Sequence, residues 1–304
     1  MNLSMDLRFL ETFIIIADCG SIAEAARRQN RTPAALAQRL RALEQELGHA
    51  LILRSGRTVQ PTAEGLAILD HARALVQGAR DLQALAAKGV PAGQLRLGAT
   101  ATALTGLLPG IITLLSTHHP SIEYFVQPGS SVDLYHRVVE GQLDAAIIVR
   151  PQFSIPKTTG WLTVRDEPLT FITSETVPAL DPHILLREKR FIRYDRNQWG
   201  GQIVDKYIRD QRLNVQEWLE LDALDAIAAL VDRGLGVAIV PDWAPPWPQG
   251  LRLRKTPLPE GEARHMGVIW RRSGARLAAI SAFVRACESV RSRHARAGPE
   301  IASS

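Results

Sequence analysis

Between Ser21 and Gly48 the sequence spells two capped helices separated by three polar residues, and this spacing limits more than any other feature what the chain can fold into. Ser21 and Glu24 form an S-x-x-E capping box, which satisfies the unpaired N–H groups of a helix start. Ile22, Ala25 and Ala26 make the inner face of that helix, small enough for another helix to come close. Residues 29–31 are short and polar, as a turn should be. Thr32 then offers a side-chain cap, and Pro33 a φ already suited to the first helical position. Leu36, Leu40, Leu43 and Leu47 follow on one stripe, and Gly48 suits a left-handed stop. Upstream, residues 7–18 predict a helix with Leu7, Leu10, Ile14 and Ala17 inward, ending at Gly20.

Three short helices with a tight turn before the third predict a helix-turn-helix, whose last helix reads the major groove of double-stranded DNA with its N-terminal residues. Here Thr32 and Pro33 open that helix, and Ala34, Ala37, Gln38 and Arg41 continue its outward face. Gln38 can bond adenine bidentately and Arg41 can reach guanine or phosphate; the two alanines can touch thymine methyl groups. Residues 51–53 and 58–60 read as two short strands of a wing turning at Ser55 and Gly56. Arg54 and Arg57 flank its tip and, with Arg31, are placed to hold phosphates. The charge agrees. From 21 to 60 there are seven arginines against three glutamates, an excess of four in a chain whose formal net charge is +5.

Thr62 predicts the start of a long helix reaching about residue 88, roughly 39 Å at the usual rise. Ile68, Ala72, Leu75, Ala79, Leu82 and Ala86 recur at heptad spacing along it, a seam suited to pairing with a second copy. The segment from Gly89 to Gly93 reads as a hinge. Beyond it strands and helices alternate, which predicts an α/β fold with mainly parallel sheets. Residues 104–120 read as one helix. Ligands of such folds sit at the C-terminal ends of strands, near helix starts. Those positions are Thr100, Thr102, Ser130, Ser131, Arg150, Asn197, Trp199 and Asp222. Helix starts and Arg150 favour an anion, Trp199 a ring, and Asp222 a hydroxyl or amine elsewhere on the ligand, so an organic acid is the expected effector.

No catalytic residue, metal site or cofactor motif emerges. Gly234 and Gly236 end a helix before a strand, the reverse of a dinucleotide loop, and His118 and His119 are adjacent and so do not share a helix face. The 2 cysteines, Cys19 and Cys287, make neither a metal spacing nor a disulfide framework. Acidic residues interrupt the apolar N-terminal run, and no stretch is long enough to span a membrane, so a cytoplasmic protein is expected. Two function classes fit these residues: a ligand-responsive transcription factor, and a small-molecule binding protein or enzyme carrying an incidental helical domain.

The first sixty-five residues resemble the LysR-type transcriptional regulators. The Ser-x-x-x-Ala-Ala helix is matched by Ser21, Ala25 and Ala26, and the Leu-Glu-x-x-Leu-Gly end of the recognition helix by Leu43, Glu44, Leu47 and Gly48. Arg54 and Arg57 match the wing, and Thr62 and Gly65 the start of the next helix. The chain departs from the family at Pro33 and Ala37, where a Gln and a Ser are usual, at Ile52, where an aromatic is common, and at Pro61, usually Leu. The first two remove polar groups from the recognition helix and leave the base preference open. The resemblance implies an α+β protein: a winged helix-turn-helix over 1–61, a linker helix over 62–90, and a two-lobed effector domain over 91–304 resembling a periplasmic binding protein. It places lobe 1 at about 91–163 and 265–295 and lobe 2 at about 164–264, with crossings near 162–167 and 257–264. It further implies a homodimer formed through residues 62–88, a homotetramer built as a dimer of dimers, and a promoter region as the DNA partner.

Overall fold

The computed structural model describes residues 5–55, 58–86, 91 and 93–296. The chain divides into two compact units, 1–88 and 89–304.

The first unit opens with α1 (Leu7–Cys19), capped by the Asp6 carboxylate, which accepts from the Arg8 N–H, and closed by Gly20 at φ 61°. Its buried face is Leu10, Thr12, Phe13 and Ile16, whereas Leu7 is 39% exposed. The expected face of Leu7, Leu10, Ile14 and Ala17 is thus rotated. In a helix apolar nearly all round, period alone does not choose a face; packing against Leu36 and Leu40 does. Helix α2 (Ile22–Arg28) is capped by Ser21, and α3 (Pro33–Leu47) by Thr32, with Leu36, Leu40 and Leu43 buried. Asn30 turns the chain between them at φ 53°. Strands β1 (Ile52–Ser55) and β2 (Thr58–Pro61) pair antiparallel. The Glu44 carboxylate ties this wing to α3 by accepting from the Leu51 N–H at 2.8 Å.

Helix α4 (Ala63–Ala86) begins at Thr62, whose hydroxyl donates to the Ala50 carbonyl at 2.8 Å and accepts from the Gly65 N–H at 2.9 Å. Gly65 lies so close to the Leu51 carbonyl that a Cβ there would collide with it, which is the physical basis of the Thr-x-x-Gly pattern. The helix spans about 36 Å. Its heptad seam is split. Ala72 is buried with Val76 in the unit's own core, with Ile68 packed against it, while Leu75 and Leu82 are 56% and 68% exposed. A straight helix drifts against a heptad, so neighbouring seam positions can face different partners.

The second unit starts with β3 (Gly93–Ala99), α5 (Ala101–Gly106), α6 (Leu108–His118), β4 (Ile122–Pro128), α7 (Ser131–Val139), β5 (Ala145–Val149) and β6 (Thr159–Glu167). The single helix expected over 104–120 is broken near Leu107, because Pro109 sits in the first turn of α6 and could not continue a helix from α5. The chain then builds β7 (Leu169–Ser174), α8 (Pro182–Glu188), β8 (Arg190–Tyr194), α9 (Trp199–Asp210), β9 (Gln216–Leu221), α10 (Leu224–Asp232), β10 (Ala238–Pro241) and β11 (Leu253–Pro257). It returns as β12 (Arg264–Arg271) and ends with α11 (Leu277–Arg296).

Strands of the first sheet lie in the order β4-β3-β5-β12-β6. Four of them, β3, β4, β5 and β6, run in one direction, but β12 lies between β5 and β6 antiparallel to both. In the second lobe β7 pairs antiparallel with β10 and β11, and β8 pairs parallel with β9. The sheets are therefore mixed rather than mainly parallel: a chain that leaves one lobe and comes back must run one strand out and one in. Each lobe has its own apolar core. The crossings follow Glu167 and precede Arg264, so 164–167 and Arg264 belong to strands of the first lobe's sheet.

Candidate functional site

The recognition surface of the first unit is built by α3. Arg31, Thr32, Pro33, Ala34, Gln38 and Arg41 are exposed and Ala37 is half-buried. The Thr32 hydroxyl accepts from the Ala35 N–H at 3.2 Å, so it shapes the helix start as well as facing outward. Arg41 lies along the helix, its Nε donating to the Ala37 carbonyl at 3.3 Å. Arg27 and Arg28 share the single carboxylate of Glu24, and Arg31 and Arg41 add exposed positive charge to this face. Arg54 stands on β1, while Arg57 lies outside the described residues.

In the second unit, strand direction gathers a site. Strands β3, β4, β5 and β6 end at one edge of the first sheet, and antiparallel β12 begins there. That edge presents Thr100, Thr102, Ser130 and Ser131 together with Glu167 and Arg264. From the second lobe the ends of β8 and β9 bring Tyr194 and Asp222. These residues enclose a cavity of about 280 Å³, which Gln198 also lines, with Glu167 just behind Arg264.

Its polar groups differ in how far they are satisfied. Ser130 caps α7 by accepting from the Asp133 N–H at 3.1 Å, and Ser131 Oγ accepts from the Val149 N–H at 3.0 Å, so each keeps an O–H to donate. Thr100 precedes α5 without capping it, and its Oγ1 is buried with no hydrogen-bond partner. Such an orphan is costly unless something else supplies the bond. Arg264 is fully engaged. It meets Glu167 through Nη2 at 2.5 Å and Nε at 2.7 Å, donates to Thr102 Oγ1 at 3.3 Å, and lines the cavity together with Tyr194. Burial opposes its charge most strongly, but the Glu167 carboxylate and Tyr194 together outweigh burial and hold the guanidinium above its ordinary pKa. Glu167 accepts also from the Ala244 N–H at 3.1 Å. Asp222 is different again. Burial, then the charge of Asp195, push its carboxyl up to about 6 against the pull of Arg264.

Three residues expected at this site stand elsewhere. Trp199 is buried in the first lobe's core, edge-on to Tyr135 and Phe153 with ring centroids 5.6 Å away. Asn197 faces solvent and donates to Asp195 Oδ1 at 2.9 Å, bracing the turn into α9. Arg150 points into a separate open cavity of about 1120 Å³ with Phe153, Lys157 and Arg272. Strand-end position alone does not decide which side of the edge a side chain takes. Glu167 and Arg264 were missed in turn. Both mark the ends of the expected crossings, but nothing local says that residues 97 apart in sequence pair.

Family models match almost the whole chain: the bacterial regulatory helix-turn-helix of the lysR family over residues 7–66, and the LysR substrate binding domain over 88–291. The chain belongs to the LysR family of transcriptional regulators. This LysR regulator is 26% identical over 248 residues to the HTH-type transcriptional regulator CzcR of Bacillus cereus, covering 79% of this chain and 81% of that one. Among solved structures it resembles a full-length OxyR variant from Pseudomonas aeruginosa, with a TM-score of 0.64, 24% identity, and 95% and 97% of the two chains covered. It also resembles full-length CbnR in complex with target DNA, with a TM-score of 0.67, 20% identity, and 94% and 100% covered. A regulator of this family joins a DNA-binding helix-turn-helix to an effector-binding domain and is not an enzyme. Among its described residues no helix is long and apolar enough to cross a membrane.

Proposed function

We propose that this regulator reads a promoter with the exposed face of α3 and responds to a small organic acid held in the 280 Å³ cavity between its lobes. The observation that carries the effector reading is the buried, unpartnered Thr100 Oγ1 in a cavity where Ser130 and Ser131 also have O–H groups to donate. A carboxylate there accepts from Thr100, Ser130 and Ser131, and Thr102 stays with Arg264. A ligand touching both lobes favours one lobe arrangement, and it can act only through that difference. Thr100→Val and Ser130→Ala should each weaken effector binding about tenfold, the worth of one hydrogen bond to a charged group. Affinity for DNA without effector should stay within about twofold. Calorimetry and footprinting test this, and normal effector responses in both variants would exclude the site.

On DNA, Gln38 and Arg41 read bases along with the apolar contacts of Pro33, Ala34 and Ala37, while Arg31, Thr32, Arg54 and Arg57 position the backbone. The likeness in fold to CbnR, solved in complex with its target DNA, supports reading this unit as DNA-binding. Gln38→Ala should cost about 1–3 kcal/mol at one base pair and relax preference there, whereas replacing Arg57 should weaken all sequences alike and lower the salt slope by about one. Gel-shift titration on single-base variants of the DNA upstream of its own gene would show it. Equal affinity of wild type and the Gln38 variant at every position rejects the assignment. We further propose that α4 pairs with its copy, that two such dimers form a tetramer, and that the protein works in the cytoplasm where its promoter lies.

A further inference from the structure

We propose that the effector is an amino acid or a similarly small amine-bearing acid, whose ammonium group is held by Asp222 while its carboxylate faces the hydroxyl wall of the first lobe. The inference rests on the interlobe cavity being the effector site, and it adds the charge pattern of the ligand.

Among the described residues, two charged side chains line this cavity, Asp222 and Arg264. Arg264 does not present a free positive charge to a ligand. Its guanidinium is taken up by Glu167 and Thr102, and the Glu167 carboxylate cancels its charge at 2.5 Å. Asp222, by contrast, is solvent-exposed, and among the described residues no hydrogen-bond donor or ion-pair partner is found on its carboxylate. The uncompensated charge of the cavity is therefore negative and sits on the second lobe. The charged groups around Asp222 are Asp195 after β8 and Arg264 on β12 with its partner Glu167 on β6; the Tyr194 hydroxyl also faces it. Together these make the position poor for a lone carboxylate and good for a cation, as its raised pKa also reflects.

The opposite wall has the reverse character. Thr100, Ser130 and Ser131 offer O–H donors there, and the hydroxyl oxygens of the two serines already accept from backbone N–H groups. Donors on one lobe and an unpaired acceptor on the other complement a molecule that carries both an anion and a cation. A purely anionic acid would satisfy the first wall and meet like charge at the second. Size narrows the class further. The cavity holds roughly nine waters' worth of space, which suits a ligand of amino-acid size. Each end of such a ligand grips a different lobe, so neither an amine nor a simple acid alone would bridge them as well.

The test uses the full chain and matched sets of small molecules: the common L-amino acids, the 2-hydroxy acids and unsubstituted acids of the same skeletons, and the corresponding amines. Thermal-shift screening finds the binders and calorimetry ranks them, with wild type, Asp222→Asn, Thr100→Val and Ser130→Ala. The tightest ligand should be an amino acid, with its hydroxy-acid twin at least about tenfold weaker. Asp222→Asn should lower amino-acid affinity about tenfold to a hundredfold and leave the hydroxy acid unchanged or tighter. A panel in which the deaminated acids bind as well as the amino acids, or in which nothing binds, overturns the proposal, as does an Asp222→Asn protein that binds the amino acid normally. If Thr100→Val and Ser130→Ala still weaken the acids in that case, the cavity remains the effector site and only the ammonium assignment has failed. If none of the three variants changes any affinity, the site reading fails as well.

Discussion

Glu167→Gln should destabilise the effector unit by about 3–5 kcal/mol, the usual cost of removing one partner from a buried ion pair. The substitution keeps the shape of the side chain and removes only its charge. Arg264 is 2% exposed and cannot shed its proton, so its charge would stay buried without a counter-charge. Melting should fall by roughly 6–20 °C for a unit of this size. The readout is clean, because all 6 tryptophans of the chain, from Trp161 to Trp270, lie in the second unit. Urea titration followed by tryptophan fluorescence therefore reports this unit and leaves the DNA-binding unit silent. Replacing both partners, Glu167→Leu with Arg264→Met, should restore much of the loss, since a well-packed apolar pair avoids the desolvation of both ions. A single-variant loss below about 1 kcal/mol would mean that water screens the pair as it does surface ion pairs. The pair also matters for function. Arg264 donates to Thr102 and lines the cavity opposite Tyr194 of the other lobe, so the variant should blunt the effector response even where the protein remains folded.

Leu75→Asp with Leu82→Asp should convert the protein to a monomer and cut affinity for a two-fold symmetric DNA site by about a hundredfold or more, the contribution of linking two half-site readers. Both leucines are large, apolar and more than half exposed, and neither belongs to the core of the first unit. Aspartates there would place like charges across the proposed helix pair and leave the chain's own fold intact. Light scattering gives the mass, and circular dichroism shows whether helix content holds. Val76→Asp is the contrasting case: it buries a charge in the core that α4 shares with α1 and should unfold the unit instead of merely separating two copies. A double variant that stays a dimer and binds the symmetric site normally would put the interface on another surface.

How much of this was legible beforehand depended on the range of each signal. Ser21, Thr32, Pro33, Gly20 and Gly48 could be read as caps and stops because a helix end is decided by groups within four residues of one another. The leucine stripe of α3 was legible for the same reason: polar residues stand opposite it and leave one face to bury. Helix α1 offered no such contrast, and only the approach of α3 chose Phe13 and Ile16 over Leu7 and Ile14. The hydroxyls at the strand ends of the first lobe were found by a rule of chain direction, which says where an edge lies but not how a side chain leaves it. Thr100 and Ser130 turn into the cavity, while Arg150 turns away and Trp199 enters the core. Strands β7 and β11 and the reversed direction of β12 carried no distinctive local pattern, because a strand's partner is set by distant residues. The buried contact of Glu167 with Arg264 is the extreme case. Sequence determined that two charges stood beside expected crossings. The tertiary structure alone decided that they meet, since only a chain that returns antiparallel to its departing strand brings residues 97 apart to within 2.7 Å.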